Sequence, residues 1–444
     1  MSRLDFRKQF TALERFHFRA PNSTVIMVAR IRGNVDEDRL KAVLKKMREK
    51  HPLLGARVEL DSGNRAWFTT EGVPDPVLEV VPRETADDWV LTAIKESKHL
   101  FSLENGPLTR FVLLKSPGVS DLVINARHSI CDGLSLAYLI RDILVQMEDP
   151  EQGIAVLYPP ALEKDDFPVS TSGNFLLRTV IKILNWRWSK TRKLFTERDY
   201  EDLHRVYWEK NSNNLVAWQL TEEQTAAFIT RCRENKVTVN NALVTALLAA
   251  QKEVQGSHQY LSSNIITVDL RKRLVKPVGD VVGFFIATVR PELDYDEDMS
   301  YWENTREIGA GIKKLLVNKN IFSSQRLNSV DQSLLDAFWF NMNGMFDNEL
   351  VAKLVRIIVG GRASKGFTIT NLGNQDLPTV YGDLVLEGIY GPHICAEMFE
   401  KYMSVTTVGG KMYFMFSFNE AIIEKHTVER LKDVVIEILE RESS

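Results

Sequence analysis

One histidine of this chain stands where a side chain could act as a base. His128 lies in the run Arg127-His128-Ser129-Ile130-Cys131-Asp132-Gly133, after an apolar segment that predicts a strand and before a helical pattern. The strand would hold the imidazole in place, and the unpaired N–H groups at the start of the helix would favour developing negative charge. Because the ordinary pKa of histidine lies near neutral pH, the base form is available and still basic. The arrangement predicts general base catalysis by His128.

The same residues fit blander interpretations and one rival mechanism. A histidine at a strand end is often structural or merely exposed, and Asp132-Gly133 alone is a turn signal in which Gly133 would take a positive φ. A His-x-x-x-Asp-Gly match arises by chance in roughly a few per cent of chains this long. Cys131 is a rival nucleophile that His128 would activate, giving an acyl-enzyme and then thioester hydrolysis. Free cysteines are commonly buried and inert, so this rival is the weaker hypothesis.

The elements around the motif predict an α+β first lobe. TVIMVARIRG is rich in β-branched residues and ends in a glycine, and the run that Asp36 opens carries apolar residues at helical spacing. This predicts a strand, a turn and an amphipathic helix that ends near Pro52, because proline disfavours helical geometry before it. Further strands are predicted for GARVEL, RAWFTT, LTRFVLLK and DLVINARH, and further helices for residues 87–100 and 134–147.

A stretch between residues 148 and 172 indicates a boundary. It is rich in Pro, Asp and Ser and shows little periodicity, which is typical of an exposed connection. We therefore predict a first lobe of residues 1–150, a linker of residues 151–175 and a second lobe of residues 176–444. In the second lobe the patterns predict helices over 220–235, 240–254 and 427–440, and strands at SNIITVDL, FFIATVRP, GFTITNL and KMYFMFSF.

Composition excludes several classes of protein. The 444 residues are 44% hydrophobic and 26% charged with a formal net charge of −3, which argues for a globular protein and against nucleic acid as a partner. Three scattered cysteines (Cys131, Cys232 and Cys395) are too few for a disulfide framework or a cysteine-rich zinc site, so no metal is expected. The start lacks the apolar core of a signal peptide, and no apolar stretch is long enough to span a bilayer. We expect a cytoplasmic protein.

Several separated segments, taken in order, resemble one family. These segments are Leu40 to Arg57 with His51-Pro52-Leu53-Leu54, Phe101-Ser102-Leu103 with Gly106-Pro107-Leu108 and Arg110, Val237-Thr238-Val239-Asn240, Val268-Asp269-Leu270-Arg271, Val282-Gly283-Phe284-Phe285 running on to Arg290, and Thr370-Asn371-Leu372-Gly373. With the motif around His128, they make the chain similar to the condensation-domain and alcohol-acyltransferase family, which belongs to the CoA-dependent acyltransferase superfamily and carries a His-His-x-x-x-Asp-Gly motif. Each is modest alone, but their shared order makes the resemblance specific.

The resemblance implies a fold and a reaction. The fold would be two chloramphenicol acetyltransferase-like lobes, each a mixed sheet flanked by helices, with the active-site tunnel at their interface. His128 would deprotonate an acceptor hydroxyl or amine, which then attacks a thioester carbonyl without an acyl-enzyme. Asp132 would point away from the substrate and pair with Arg271, Arg273 being the alternative, in an architectural role.

The resemblance leaves other positions open. Asn371 would lie near the tunnel and could donate to an oxyanion, but the preferred interpretation is a turn residue that tolerates left-handed geometry. Arg127 replaces the first motif histidine, and Ala287 stands where many relatives carry asparagine. A cation at Arg127 could lower the pKa of His128 or recognise an anionic donor.

The resemblance favours a stand-alone acyltransferase that transfers acyl groups other than amino-acyl groups. The Asp-Leu-Arg and Thr-Asn-Leu-Gly segments look more like those of alcohol acyltransferases, so we expect ester formation, as by an alcohol O-acetyltransferase. No cofactor is expected to stay bound; acyl-CoA or acyl-phosphopantetheine would be the co-substrate, with an acyl carrier protein as a possible partner. The alternative is a catalytically degenerate homologue that binds a carrier protein or a lipid.

A segment outside the motif mixes large apolar and basic residues. Residues Phe175 to Lys193 read FLLRTVIKILNWRWSKTRK. This composition is consistent with peripheral contact with a membrane, with a helix covering the tunnel mouth, with a docking face for an acidic carrier protein, or with a solvated cationic face. The apolar stretch from Leu334 to Phe346 is expected to be core.

Overall fold

The chain alternates strands and helices over the part that the computed structural model describes, residues 6–169, 175–256, 264–359, 364–394 and 399–444. Residues 170–174 of the predicted linker and Cys395 lie outside these ranges. The strands are β1 (Arg7–Gln9), β2 (Thr24–Arg32), β3 (Arg57–Leu60), β4 (Ala66–Thr69), β5 (Val77–Pro82), β6 (Thr109–Ser116), β7 (Val119–Arg127), β8 (Asn213–Leu220), β9 (Ile265–Asp269), β10 (Ile286–Val289), β11 (Ser364–Asn374), β12 (Val380–Tyr381), β13 (Leu384–Ile394), β14 (Phe399–Val408) and β15 (Lys411–Asn419).

The helices lie between these strands. They are α1 (Ala12–Phe18), α2 (Glu37–Lys50), α3 (Asp88–Ser97), α4 (Gly133–Glu148), α5 (Phe175–Thr191), α6 (Glu197–Lys210), α7 (Glu222–Glu234), α8 (Val239–Gln255), α9 (Tyr301–Leu315), α10 (Asn318–Ile321), α11 (Gln332–Met342), α12 (Glu349–Val359) and α13 (Lys425–Ser443). Among the described residues, no helix is both long enough and apolar enough to cross a membrane.

The first sheet has the order β12-β13-β2-β7-β6-β5, and β5 and β6 are its parallel pair. Successive side chains of its central strand β2 point to opposite faces of the sheet. Both sets are buried because helices cover both faces. Val25 and Met27 pack in the cluster that contains residues of α2 and α4, whereas Ile26 and Val28 pack with Trp89 of α3. The predicted helix after β2 begins after its N-cap Asp36 and ends at Lys50, just before Pro52.

The second sheet has the order β10-β9-β11-β14-β15-β8. β11 pairs in parallel with both β9 and β14, and the other neighbours are antiparallel. Residues of α7, α8 and α13 pack against it in one apolar cluster. The prediction of an α+β fold with two lobes, each a mixed sheet flanked by helices, is therefore confirmed.

The second lobe contributes two strands to the sheet of the first lobe. Strands β12 and β13, residues 380–394, lie in the predicted second lobe, but β13 pairs antiparallel with β2 and extends the first sheet. The pairing runs from Val385 opposite Arg32 to Ile394 opposite Val25. The division at residue 150 remains a prediction about chain segments, and a contiguous division cannot represent the first sheet. Backbone hydrogen bonds join segments about 350 residues apart, and no local pattern encodes such a pairing.

A helix that the sequence analysis did not predict also joins distant segments. Helix α1 packs against α11, and the carboxylate of Asp336 in α11 receives hydrogen bonds from Arg15 Nε at 2.7 Å and Arg19 Nη1 at 2.8 Å. All three side chains are almost completely buried. The stretch predicted as core is confirmed as such for residues 334–340, which are buried in α11.

Candidate functional site

The imidazole of His128 is held by its own loop. β7 ends at Arg127, and the chain turns through residues 128–132 before α4 begins at Gly133. Nδ1 of His128 lies 2.9 Å from the carbonyl oxygen of Cys131. Because a carbonyl only accepts, Nδ1 carries the proton of the neutral ring, and the lone pair is on Nε2. The local backbone therefore selects the tautomer that a base acting through Nε2 requires.

The surroundings of His128 keep the imidazole neutral. Burial lowers its pKa below the ordinary value, and the nearby Arg127 lowers it further, while the bond to the Cys131 carbonyl and the charge of Asp132 raise it in part. The side chain is 5% exposed, so it is largely shielded from solvent and still lines a cavity. At neutral pH the ring is a free base.

Both oxygens of the Asp132 carboxylate accept hydrogen bonds, and two of the three donor residues belong to the second lobe. It accepts two hydrogen bonds from Arg271, Nη1 to Oδ2 and Nη2 to Oδ1, both 2.9 Å long. It also accepts from the backbone N–H groups of Ser135 at 2.8 Å and Phe285 at 3.0 Å. Asp132 thus caps α4 and ties it to the segment after β9. Arg273, the alternative partner, is exposed.

A serine missed by the sequence analysis completes this network. Ser135 Oγ donates to Asp132 Oδ1 or to the carbonyl of Gly283, each at 2.9 Å, and accepts from Arg271 Nη2 at 2.8 Å. The spacing Asp132-x-x-Ser135 at a helix start was the available signal. All the side chains of this network are buried. Burial alone would raise the pKa of Asp132, but the positive charge of Arg271 and the hydrogen bonds that it donates hold this pKa below its usual value.

The expectation of a positive φ at Gly133 is wrong. Gly133 is the first residue of α4 and is not among the residues with positive φ. What excludes a side chain is space, because a Cβ at this position would lie 3.0 Å from Cγ of Pro392 in β13 and 3.2 Å from a methyl carbon of Leu372. The glycine of the motif permits close approach between α4 and the strands opposite it.

Arg127 points away from the cavity. Its side chain is 1% exposed, and Nη2 lies within 3.0 Å of the carbonyl oxygens of His17, Phe18 and Ala20 at the end of α1. A cation suits this position because the last carbonyls of a helix lack intrahelical partners. The placement is contrary to the expectation that Arg127 contacts an anionic donor, whereas its expected effect on the pKa of His128 has the predicted direction.

A second histidine, whose carbonyl oxygen accepts from Arg127, lies beside the ring of His128. The ring of His17 lies 4.9 Å from the ring of His128 between centroids, and Phe284 lies 5.1 Å from each. Ser23 links the pair, since its hydroxyl contacts Nδ1 of His17 at 2.9 Å and its carbonyl accepts from the backbone N–H of His128 at 3.0 Å. Burial lowers the pKa of His17 well below the ordinary value; the charge that His128 carries when it is protonated and the charge of Arg127 lower it further.

The sequence indicates the helix that carries His17, but it does not indicate that His17 lies beside His128. Thr11 and Glu14 form a capping box, and this pattern marks the start of α1. Nothing local indicates that a helix starting there would place His17 beside a residue 111 positions later. That proximity comes from β2 and β7, which pair with Thr24 opposite Arg127 and so bring the end of α1 to the motif.

His128 opens onto a cavity of about 490 Å³ that is lined by both lobes. Asn371 of β11 lines it; its Oδ1 accepts from the backbone N–H of Gly373 at 2.8 Å, which leaves the Nδ2 amide available to donate. Beside it, Thr370 Oγ1 contacts both Thr267 Oγ1 at 2.8 Å and the hydroxyl of Tyr402. These hydroxyls lie on three neighbouring strands of the second sheet, and the sequence analysis did not single them out as a group.

Cys131 is unsuited to nucleophilic attack. Its side chain is completely buried in the apolar cluster of the first lobe, and its Sγ lies 3.7 Å from the carbonyl oxygen of Arg127. Burial and the charge of Asp132 raise the pKa of the thiol well above its usual value, so the reactive thiolate is disfavoured. Its carbonyl oxygen, not its sulfur, contacts the ring of His128.

In the ranges that the structure describes, no cluster of three or more His, Cys, Asp or Glu side chains is arranged to bind a metal.

Comparisons with known proteins identify the family to which the sequence of this chain is similar. A family profile described as Condensation domain matches residues 10–321. The chain is 22% identical over 432 residues to surfactin synthase subunit 1 of Bacillus subtilis (strain 168), covering 93% of this chain and 11% of that protein. It is also 22% identical over 413 residues to bacitracin synthase 3 of Bacillus licheniformis, covering 84% of this chain and 6% of that protein. The chain thus spans about a tenth or less of the length of these relatives.

Solved structures share the two-lobed fold. The first condensation domain of the calcium-dependent antibiotic synthetase has a TM-score of 0.64 at 12% identity, covering 99% of this chain and 96% of that chain. The trichothecene 15-O-acetyltransferase of Fusarium sporotrichioides has a TM-score of 0.66 at 12% identity, covering 99% and 95%. Polyketide synthase associated protein 5 of Mycobacterium tuberculosis has a TM-score of 0.61 at 13% identity, covering 98% and 99%. With the profile match over most of its length, the chain belongs to the condensation-domain family.

Proposed function

We propose that this protein is an acyltransferase that moves an acyl group from a thioester to a hydroxyl or amine acceptor. The observation that carries the proposal is the state of His128, a neutral imidazole whose Nδ1 proton is directed to the Cys131 carbonyl and whose ring lines the cavity between the lobes. A group that accepts a proton through Nε2 is what acyl transfer to a neutral acceptor requires.

The proposed step balances without an acyl-enzyme. His128 Nε2 takes the proton of the acceptor O–H or N–H while the acceptor atom bonds to the thioester carbon. The carbonyl electron pair moves onto oxygen, and the tetrahedral intermediate then collapses as the C–S bond breaks. The leaving sulfur takes the proton back from Nε2, so the neutral imidazole is restored. Base catalysis of this kind contributes about 10²–10⁴-fold.

Asn371 is the proposed donor to the developing oxyanion. Its Nδ2 amide has no hydrogen bond among the described residues, and it lines the same cavity as His128. A single donor of this type typically contributes about 10²–10³-fold in kcat. Asp132 has no part in proton transfer, because Arg271 and the two backbone N–H groups occupy its oxygens.

The donor is proposed to be acyl-CoA or an acyl-phosphopantetheine on a carrier protein. Both present the same thioester and pantetheine arm. Lys272, an exposed cation on the cavity wall, has no ion-pair partner among the described residues and would suit the phosphate at the end of that arm. We propose ester formation as the narrower activity, in line with the acetyltransferase that shares the fold. Every group required by the step lies within this chain, so we propose that it works as a stand-alone transferase.

The test follows acceptor-dependent thiol release. Purified protein would be incubated with short, medium and long acyl-CoAs, and with an acyl carrier protein as donor, in the presence of pooled alcohols and amines. Free thiol and product mass would be recorded for the wild type and for His128→Asn. The asparagine keeps a donor for the Cys131 carbonyl but has no basic lone pair, so structure is preserved while the base is lost.

The outcomes separate the proposal from a binding role. Thiol release that needs an acceptor and falls by orders of magnitude in His128→Asn supports the transferase. Equal release from both proteins would overturn His128 as the base. Binding of a non-hydrolysable thioester analogue without release to any acceptor would instead identify a degenerate family member that binds a carrier protein or a lipid.

A further inference from the structure

Helix α5 exposes an apolar stripe that packs against no other element of the part of the chain that the structure describes. One side of the helix is anchored, since Ile181 and Trp188 are buried and Trp188 Nε1 donates to Ser333 Oγ of α11 at 2.8 Å. The opposite side holds Phe175, Leu176, Ile183 and Trp186, which are 79%, 71%, 49% and 58% exposed. These positions recur at helical spacing about the face turned away from α11. Scattered exposed apolar residues are normal, whereas a stripe along one helix is not.

The stripe is surrounded by positive charge. Residues 167–196 contain six Lys or Arg and no Asp or Glu, in a chain whose net charge is −3. Arg192 and Lys193 pair with Asp331 and Asp199. For Arg178, Lys182 and Lys190, no described carboxylate lies within ion-pair distance. Lys190 instead lies 3.5 Å from the ring centre of Trp186, so a cation stands directly beside the apolar stripe.

A neighbouring helix continues the same surface chemistry. α12 packs against α5 through the apolar cluster that both share with α11. Near its end it leaves Ile357 77% exposed and Arg356 exposed. The surface formed by α5 and the end of α12 therefore combines large apolar side chains with unpaired cations.

We propose that this surface docks onto a bilayer that contains anionic lipids. An interfacial helix lies flat with Trp and Phe at the level of the headgroups, while flanking Lys and Arg contact lipid phosphates. α5 has 17 residues, four of them basic, so it matches a helix that lies on a membrane. A second copy of the same cationic face would repel the first. The stripe lies on the outward-curving surface of a single helix. Lipid headgroups can rearrange around such a surface more easily than the side chains of a folded partner protein can.

Co-sedimentation with vesicles tests the proposal on the full chain. Vesicles of phosphatidylcholine alone would be compared with vesicles that also contain phosphatidylglycerol, at low and high salt. We expect binding to the anionic vesicles, weakened by salt because the charges are exposed. Leu176→Glu should reduce partitioning by about tenfold or more, since it removes a large apolar contact and adds a repelled charge. Each of Arg178→Gln and Lys182→Gln should reduce it by about fivefold.

Matched controls are available elsewhere on the surface. Leu91 of α3 is also 71% exposed, so Leu91→Glu makes the same chemical change outside the docking surface. Lys41→Gln, on α2, removes one basic residue outside the docking surface, as Arg178→Gln and Lys182→Gln each do within it. Both controls should bind vesicles like the wild type, and all variants should keep the wild-type melting temperature.

Three results would overturn the proposal. The first is no binding of the wild type to anionic vesicles. The second is binding by Leu176→Glu that equals that of Leu91→Glu. The third is a wild-type dimer, or a complex with an acidic carrier protein, that Leu176→Glu alone disrupts while vesicle binding persists. None of these measurements depends on acyl transfer, so a failure here is distinct from a failure of the proposed function.

Discussion

Arg271 and Asp132 form a bidentate ion pair across the two lobes, with both N–O distances at 2.9 Å and both side chains almost fully buried. Arg271 follows β9 of the second sheet, and Asp132 starts α4 beside the first. The pair therefore fixes the helix that follows His128 against the opposite lobe. Because each charge has left water, its stability depends on the other.

Arg271→Gln should lower the free energy of unfolding by about 3–5 kcal/mol, because it leaves the Asp132 carboxylate buried without its counter-charge. Urea unfolding at neutral pH would measure the change. Arg273→Gln is the control, since Arg273 is exposed two residues away and its loss should change stability by less than about 0.5 kcal/mol. Equal effects of the two substitutions would contradict the role assigned to the pair.

The pH profile of acyl transfer should reflect the lowered pKa of His128. Transfer needs the unprotonated ring, so the rate should be constant above the ordinary histidine pKa of about 6.5 and fall only at lower pH. Removing the charge in Arg127→Gln should move the acidic limb to higher pH, whereas Arg127→Lys should move it less. Initial rates with saturating donor between pH 4 and 8 would show this. An unchanged limb in Arg127→Gln would exclude the electrostatic effect.

His17→Ala should lower kcat by about 10- to 100-fold with little change in KM for the thioester. The ring of His17 packs against that of His128, and its removal frees the imidazole to move from its catalytic position. Ser23→Ala, which removes only the hydrogen bond to Nδ1 of His17, should have a smaller effect in the same direction. Steady-state kinetics of both variants would check this order. A rise in KM without loss of kcat would instead indicate that His17 only binds substrate.

Stability should fall between pH 6.5 and 4 because buried histidines resist protonation. Burial lowers the pKa of His393 to about 4, whereas the unfolded chain titrates near 6.5. In this window the unfolded state binds more protons than the folded state, so acid favours unfolding, by up to about 3 kcal/mol for one such residue. Urea unfolding of the wild type at pH 7 and pH 5 would reveal the loss.

His393→Gln tests the assignment of that loss. A glutamine cannot take up the proton, so the difference in stability between pH 7 and pH 5 should shrink in this variant. His426→Gln, at an exposed position of α13, is the control and should keep the full difference. The pKa of Asp142, lowered to about 2, belongs to a more acidic window and does not contribute near pH 5. A full pH dependence in His393→Gln would refute the assignment.

Local pattern determined much of this protein. The β-branched run of β2, the cap at Asp36, the stop before Pro52 and the strand-to-helix turn at His128 could all be predicted, because each depends on residues within one turn or one strand of each other. The partners Asp132 and Arg271 were named only through resemblance to the family. The boundary near residue 150 was predicted from composition, whereas the resemblance supplied the chloramphenicol acetyltransferase-like fold of each lobe, which no periodicity in the chain specifies.

Tertiary structure decided the rest. That β13 completes the first sheet, that His17 lies beside His128, and that Arg127 binds the end of α1 all depend on contacts between segments far apart in the chain. Gly133 shows the same division: its identity was visible in the sequence, but the reason for it, the approach of Pro392, required the fold. Side-chain chemistry is written in the sequence, but the distance between two side chains depends on how every intervening element packs.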